Sequence, residues 1–101
     1  MGIVLNVDGE DLDLTQLQAT ILAEDLRVAA ATGTTRDPIV VRLLADQIEL
    51  RLVGAEDNPI VVQRPAEYIA IAELAADGKV AGWDPDVGRL YRLARAWLAQ
   101  H

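Results

Sequence analysis

The sequence predicts a mainly α fold, a compact bundle of about four helices with a short N-terminal strand. Three observations carry this prediction. Asp37-Pro38 and Asp84-Pro85 each place an N-cap acid before a proline at the first helical position, and each is followed by an apolar stripe. Four stretches repeat apolar residues at helical spacing. The hydrophobic residues make up 51% of the chain, yet the aromatics are only Tyr68, Trp83, Tyr91 and Trp97, so the core must be aliphatic and Ala-rich. Small side chains let helices approach closely. The length, 101 residues, suits a single domain over 1–101. The runner-up fold is α+β, with a small sheet from residues 2–7, 48–53 and 59–63.

Residues 2–7 read as a strand with Ile3, Leu5 and Val7 on one face. Asp8-Gly9 marks a turn. The acidic run Glu10-Asp11-Leu12-Asp13 is expected to lead into a first helix over 14–32, because acids favour the positive end of the helix dipole. Leu14, Leu17, Ile21 and Val28 form its expected inner face, widened by Leu22, Leu26 and Ala29. Gly33 is its expected stop, and Thr34-Thr35-Arg36 a short connection.

The second helix starts at Asp37-Pro38 and carries only a narrow polar stripe, Arg42, Asp46 and Glu49. A helix so nearly apolar all round belongs at the centre of a fold or at a subunit interface. Its end admits two readings, since Ile48-Glu49-Leu50-Arg51-Leu52-Val53 alternates as a strand would and Ile60-Val61-Val62 offers a second arm. The helix is preferred over a hairpin for 48–62. Pro65 opens a third helix over 65–77, with Tyr68, Ile71, Ala72 and Ala75 on one face and Asp77-Gly78 at its end. Residues 79–83 connect to a last helix over 85–100. There Val87, Leu90, Tyr91, Ala94, Trp97 and Leu98 form one stripe, opposite Arg89, Arg92 and Arg95. The two Asp-Pro starts share Asp, Pro, Val, Arg and Leu in register, but the rest of the two segments does not align, so they read as independent caps rather than a repeat.

The chemistry of the chain is defined largely by what it lacks. With no Cys there is no disulfide, thiol nucleophile or thiolate metal site, which suits a reducing, cytoplasmic setting. With no Ser there is no serine nucleophile. The single histidine, His101, is the last residue and reads as an exposed tail. The acids Asp8, Glu10, Asp11 and Asp13 miss the EF-hand pattern, since the sixth residue from Asp8 is Asp13 rather than Gly and the twelfth is Ala19 rather than Glu. They read as a solvated loop. No cofactor, catalytic or metal site is expected. Asp25 is the one acid inside the apolar arc of the first helix. Its expected role is structural, at the edge of the core or paired with Arg42 or Arg51, and an enzyme using it with a second carboxylate is the weakest functional reading.

Sixteen acids against nine bases leave a net charge of -7, which disfavours nucleic acid as a partner. No apolar run reaches the ~20 residues of a membrane helix. Residues 1–26 hold six acids and no base, whereas residues 87–101 hold three Arg and no acid. These ends can neutralise each other within one molecule or join copies head to tail. The first expectation for function is a non-catalytic protein-interaction or assembly module, such as an adaptor, a self-assembling component or a small phage or bacterial structural protein. Its partner is another protein or a second copy, and Arg89, Arg92 and Arg95 are its contact residues. The alternative is an acidic inhibitor, such as an antitoxin, an immunity protein or a nucleic-acid mimic, which must present its carboxylates as one dense patch.

Overall fold

The N-terminal residues form a hairpin rather than one strand. In the computed structural model, which describes residues 3–33, 35–77 and 87–101, β1 (Ile3–Val7) pairs antiparallel with β2 (Glu10–Leu14). Asp8 and Gly9 make the turn with φ of 52° and 79°. Such a two-residue connection needs positive φ at both positions, which Gly adopts freely and Asp tolerates. The acidic run is therefore a strand and not the approach to a helix. Asp-Gly between alternating apolar residues was the signal for it. Pairing Leu5 with Leu12 and Ile3 with Leu14 puts all four, with Val7, on one buried face. The acids Asp11 and Asp13 face outward on an edge strand, where charge is tolerated.

The helix α1 (Gln16–Ala31) starts two residues later than the expected boundary. Thr15 is its cap: Gln18 N–H donates to Thr15 Oγ1 at 3.0 Å, and Thr15 N–H donates to Gln18 Oε1 at 2.9 Å. Its inner face is also rotated from the expected one. Ala19, Leu22, Ala23, Leu26 and Ala30 are buried, while Leu17 and Val28 are mostly exposed. The small residues of this arc let α2 lie close, so the sheet and α2 choose the alanine-rich side over the side with larger residues. Gly33, at φ 71°, follows the C-cap Thr32 as expected.

The second helix, α2 (Pro38–Leu52), begins at the expected cap, with Val40 N–H donating to Asp37 Oδ1 at 3.3 Å. It runs through 48–52, so that segment is not a strand as the runner-up fold supposed. Ala55 N–H bonds to Leu50 O and Gly54 N–H to Arg51 O, with Gly54 at φ 77°. This pair of bonds is a Schellman stop. The other half of the runner-up sheet does exist: β3 (Ile60–Val61) lies parallel to β1. The sheet order is β2-β1-β3. Next come α3 (Pro65–Ala76) and α4 (Val87–Gln100). Glu67 accepts from the backbone N–H groups of Gln63 and Arg64 and so closes the start of α3. The expected connection 79–83, the Asp84-Pro85 cap, Gly78, Thr34 and Gly2 lie outside the described residues.

The result is mainly α, with the four helices of the described residues gathered against one face of a small sheet. Leu5 and Val7 from β1, Leu22 and Leu26 from α1, Val41 and Ile48 from α2, Ile71 from α3 and Leu90 and Ala94 from α4 share one core. Its radius of gyration, 12.1 Å, is close to the ~13 Å of a globular chain this long. No helix among the described residues is long and apolar enough to cross a membrane.

Candidate functional site

The basic helix α4 buries Leu90, Leu93 and Ala94 and lays Trp97 and Leu98 against the core. Of its expected stripe, Leu90, Ala94, Trp97 and Leu98 face the core, Leu93 joins them, Tyr91 is 39% exposed, and the Val87 side chain lies outside the description. Arg89, Arg92 and Arg95 are all exposed, but they are not equivalent. Glu10 stands opposite Val7 in the hairpin, so it lies on the helix side of the sheet. There Arg89 donates to Glu10 Oε1 at 3.1 Å. The acidic N-terminal end and the basic C-terminal end thus meet within one molecule, through this pair. Arg92 and Arg95 have no ion-pair partner among the described residues.

Sequence reasoning missed the column of rings beneath this helix. Tyr68 of α3 stacks on Trp97 at 4.0 Å, and Trp97 stacks on His101 at 3.9 Å, both nearly parallel. His101 is exposed as expected, yet it is supported by the ring beneath it, and its Nδ1 lies 2.9 Å from Trp97 O. The spacing of Trp97 and His101, one turn apart, was the available signal. Tyr68 is 1% exposed. Its hydroxyl donates to Val62 O at 2.8 Å and accepts from Asp8 N–H at 2.9 Å. Burial pushes its phenol pKa up, helped by the Asp8 and Glu67 charges, against the Asp8 N–H bond that favours the phenolate.

Asp25 sits at the edge of the core, half-buried and engaged by a further interaction. Neither Arg42 nor Arg51 reaches it. Arg51 is instead 6% exposed in its side chain and bonds Asn58 O, Asn58 Oδ1, Gln47 O and Gln47 Oε1, with Glu56 at 3.4 Å. Asp25 lines a cleft of about 330 Å³ between α1 and α3, with Thr32, Thr35, Glu73 and Asp77. The described residues hold no group of three His, Cys, Asp or Glu placed to bind a metal ion. Of the hairpin acids, Asp11 accepts from Asn6 Nδ2 at 2.8 Å, across the strand pair.

A second surface lies where α2 passes the free edge of β3. Ile39 is 71% and Leu43 51% exposed, and they lie one turn apart. Leu43 and Val40 line a groove with Val61, which is 50% exposed. The groove continues past Leu44 and Gln47 to Arg51, as two adjoining hollows of about 250 and 320 Å³. The helix therefore buries only Val41, Leu44, Ala45 and Ile48 and leaves much of its apolar surplus outside. Opposite this groove, Arg27 of α1 bridges Asp46 at 2.9 Å and Glu49 at 3.0 Å. These two bonds hold the Arg27 guanidinium pKa above its ordinary value, Glu49 contributing most.

Comparison with protein-family models, curated proteins and solved structures gives no match.

Proposed function

We propose that this chain is a non-catalytic protein-interaction or assembly module whose last helix docks an acidic protein partner. The supporting observation is the state of Arg92 and Arg95: two exposed guanidiniums without a counter-ion among the described residues, beside the half-exposed ring of Tyr91. Arg and Tyr are residue types that carry binding energy at protein interfaces. Arg89 contributes less, because its charge is already met by Glu10. The reading carries with it a cytoplasmic location and no cofactor or nucleic-acid partner. The acidic-inhibitor alternative has less behind it. Glu10, Asp46, Glu49 and Glu56 each face an arginine, so these four carboxylates are neutralised where they stand and add little to an acidic patch.

A pull-down from the native host tests the reading. The wild-type chain retains a discrete partner, and the Arg92→Glu, Arg95→Glu double variant loses it while keeping its circular dichroism. A double variant that retains the partner, or a wild-type chain that retains none and stays monomeric in light scattering, overturns the reading.

A further inference from the structure

The geometry points to self-association of this chain through the edge of β3, two copies pairing about a two-fold axis. The inference rests on the assembly reading above but uses a different surface. The sheet has two edges of opposite character. The β2 edge is guarded by Glu10, Asp11 and Asp13, a device that blocks strand pairing. The β3 edge, Ile60–Val61, carries no charge.

The parallel register decides what that edge offers. Asn6 stands opposite Val61, and Val62 N–H donates to Asn6 O at 3.0 Å. In a parallel ladder one residue bonds to the two neighbours of its partner, so Ile60 and Val62 turn their backbone groups toward β1. Val61 turns its N–H and C=O the other way, and no backbone partner meets them among the described residues. An antiparallel hydrogen-bonded pair takes both of its bonds from one residue on each strand. A single outward residue is therefore matched by the same residue of a second copy, with the two-fold axis between them. Pro59 has no N–H, and Gln63 N–H is already bonded to Glu67, so the ladder ends there and the occupant is short.

The apolar groove beside this edge supplies what two hydrogen bonds do not. From Val40 to Arg51, α2 runs about 16 Å at 1.5 Å per residue, the span of about five extended residues. A strand added to β3 extends the sheet over Leu43 and Val40, which the present sheet is too narrow to cover. Charge permits the approach. The chain carries -7 overall, but along this groove Arg51 is paired with Glu56, and Arg64 stands one turn from Glu67. Copies therefore meet here on a locally neutral surface, free of the like-charge repulsion that arises when two identical charged patches face each other across a two-fold axis.

Light scattering across a wide concentration range, joined to amide hydrogen exchange, tests this on the whole chain. The expected mass is twice the 11.0 kDa of one chain, with Val61 N–H exchange slowing as concentration rises. Leu43→Asp weakens the association by roughly a hundredfold, about tenfold for each copy's Leu43. Leu43 is half-exposed, so the fold survives the change. Val61→Pro removes the outward N–H and leaves the Ile60 and Val62 bonds to β1 in place, with the same loss of dimer. A single-chain mass at every concentration overturns the inference, as does a dimer indifferent to Leu43→Asp. A monomer that still captures a partner through Arg92 and Arg95 overturns this inference alone. A dimer broken by Arg92→Glu but not by Leu43→Asp moves the contact to α4 and also overturns it.

Discussion

Replacing Tyr68 by Phe isolates one oxygen atom that ties three parts of the fold together. The ring of Tyr68 stays in its stack on Trp97, so packing is conserved. What is lost is the bond to Val62 O, next to β3, and the bond from Asp8 N–H, in the hairpin turn. An ordinary intramolecular hydrogen bond contributes about 1 kcal/mol net, and a buried group left unpaired costs about 1–3 kcal/mol. Val62 O has no route to water beside a tyrosine 1% exposed, whereas Asp8 N–H is only partly buried and regains a water. The sum is a loss of about 2–3 kcal/mol, set against a total stability of about 5–15 kcal/mol for a domain of this kind. The melting temperature then falls by about 8 °C or more. Urea denaturation followed by circular dichroism gives the number directly, provided the slope is unchanged between the two proteins. A loss below about 0.5 kcal/mol, the level of an exposed substitution, refutes the assignment of Tyr68 as the tie between α3, the hairpin and β3.

The same group makes stability depend on pH in the alkaline range. A phenol whose pKa is raised by folding stabilises the fold fully below the unfolded value of ~10, and this contribution is lost as pH rises through the folded value. The difference between wild type and Tyr68→Phe in urea midpoint therefore stays constant to about pH 10 and narrows above it. A difference that widened above that pH would show the opposite sign. Arg51→Ala costs about 2–3 kcal/mol, because the nearly buried guanidinium closes the 54–59 turn onto α2 through charge-assisted bonds. Hydrogen exchange at Val62 rises in that variant, and Arg51→Lys recovers little, lacking the fork that holds Asn58 and Gln47 at once.

The parts of this fold that were legible in the sequence are those decided within a few residues. Asp37-Pro38 and Pro65 announce α2 and α3 because capping and proline geometry are local matters. Asp8-Gly9 and Gly33 mark a turn and a helix stop because few residues adopt positive φ. The basic face of α4 was legible from charge spacing alone, and its apolar stripe was nearly so. What the sequence left open was every choice between two arrangements that are locally equivalent. The stretch Glu10–Leu14 serves as well for a helix approach as for a strand until β1 offers it partners. The helix α1 has two apolar arcs, and only the position of α2 and the sheet selects the alanine-rich one. Arg89 differs from Arg92 and Arg95 only because the hairpin brings Glu10 to it.

Amino-acid order thus determined where α2 and α3 begin, where the hairpin turns and which charges share a face. Tertiary structure alone decided that β3 joins β1, that Val61 faces outward, that Tyr68 bonds two distant backbone groups and that Leu43 is left uncovered. The reason is physical. Local dihedral preferences and caps act over one turn of chain, whereas strand pairing and burial are settled by residues tens of positions apart that share one core.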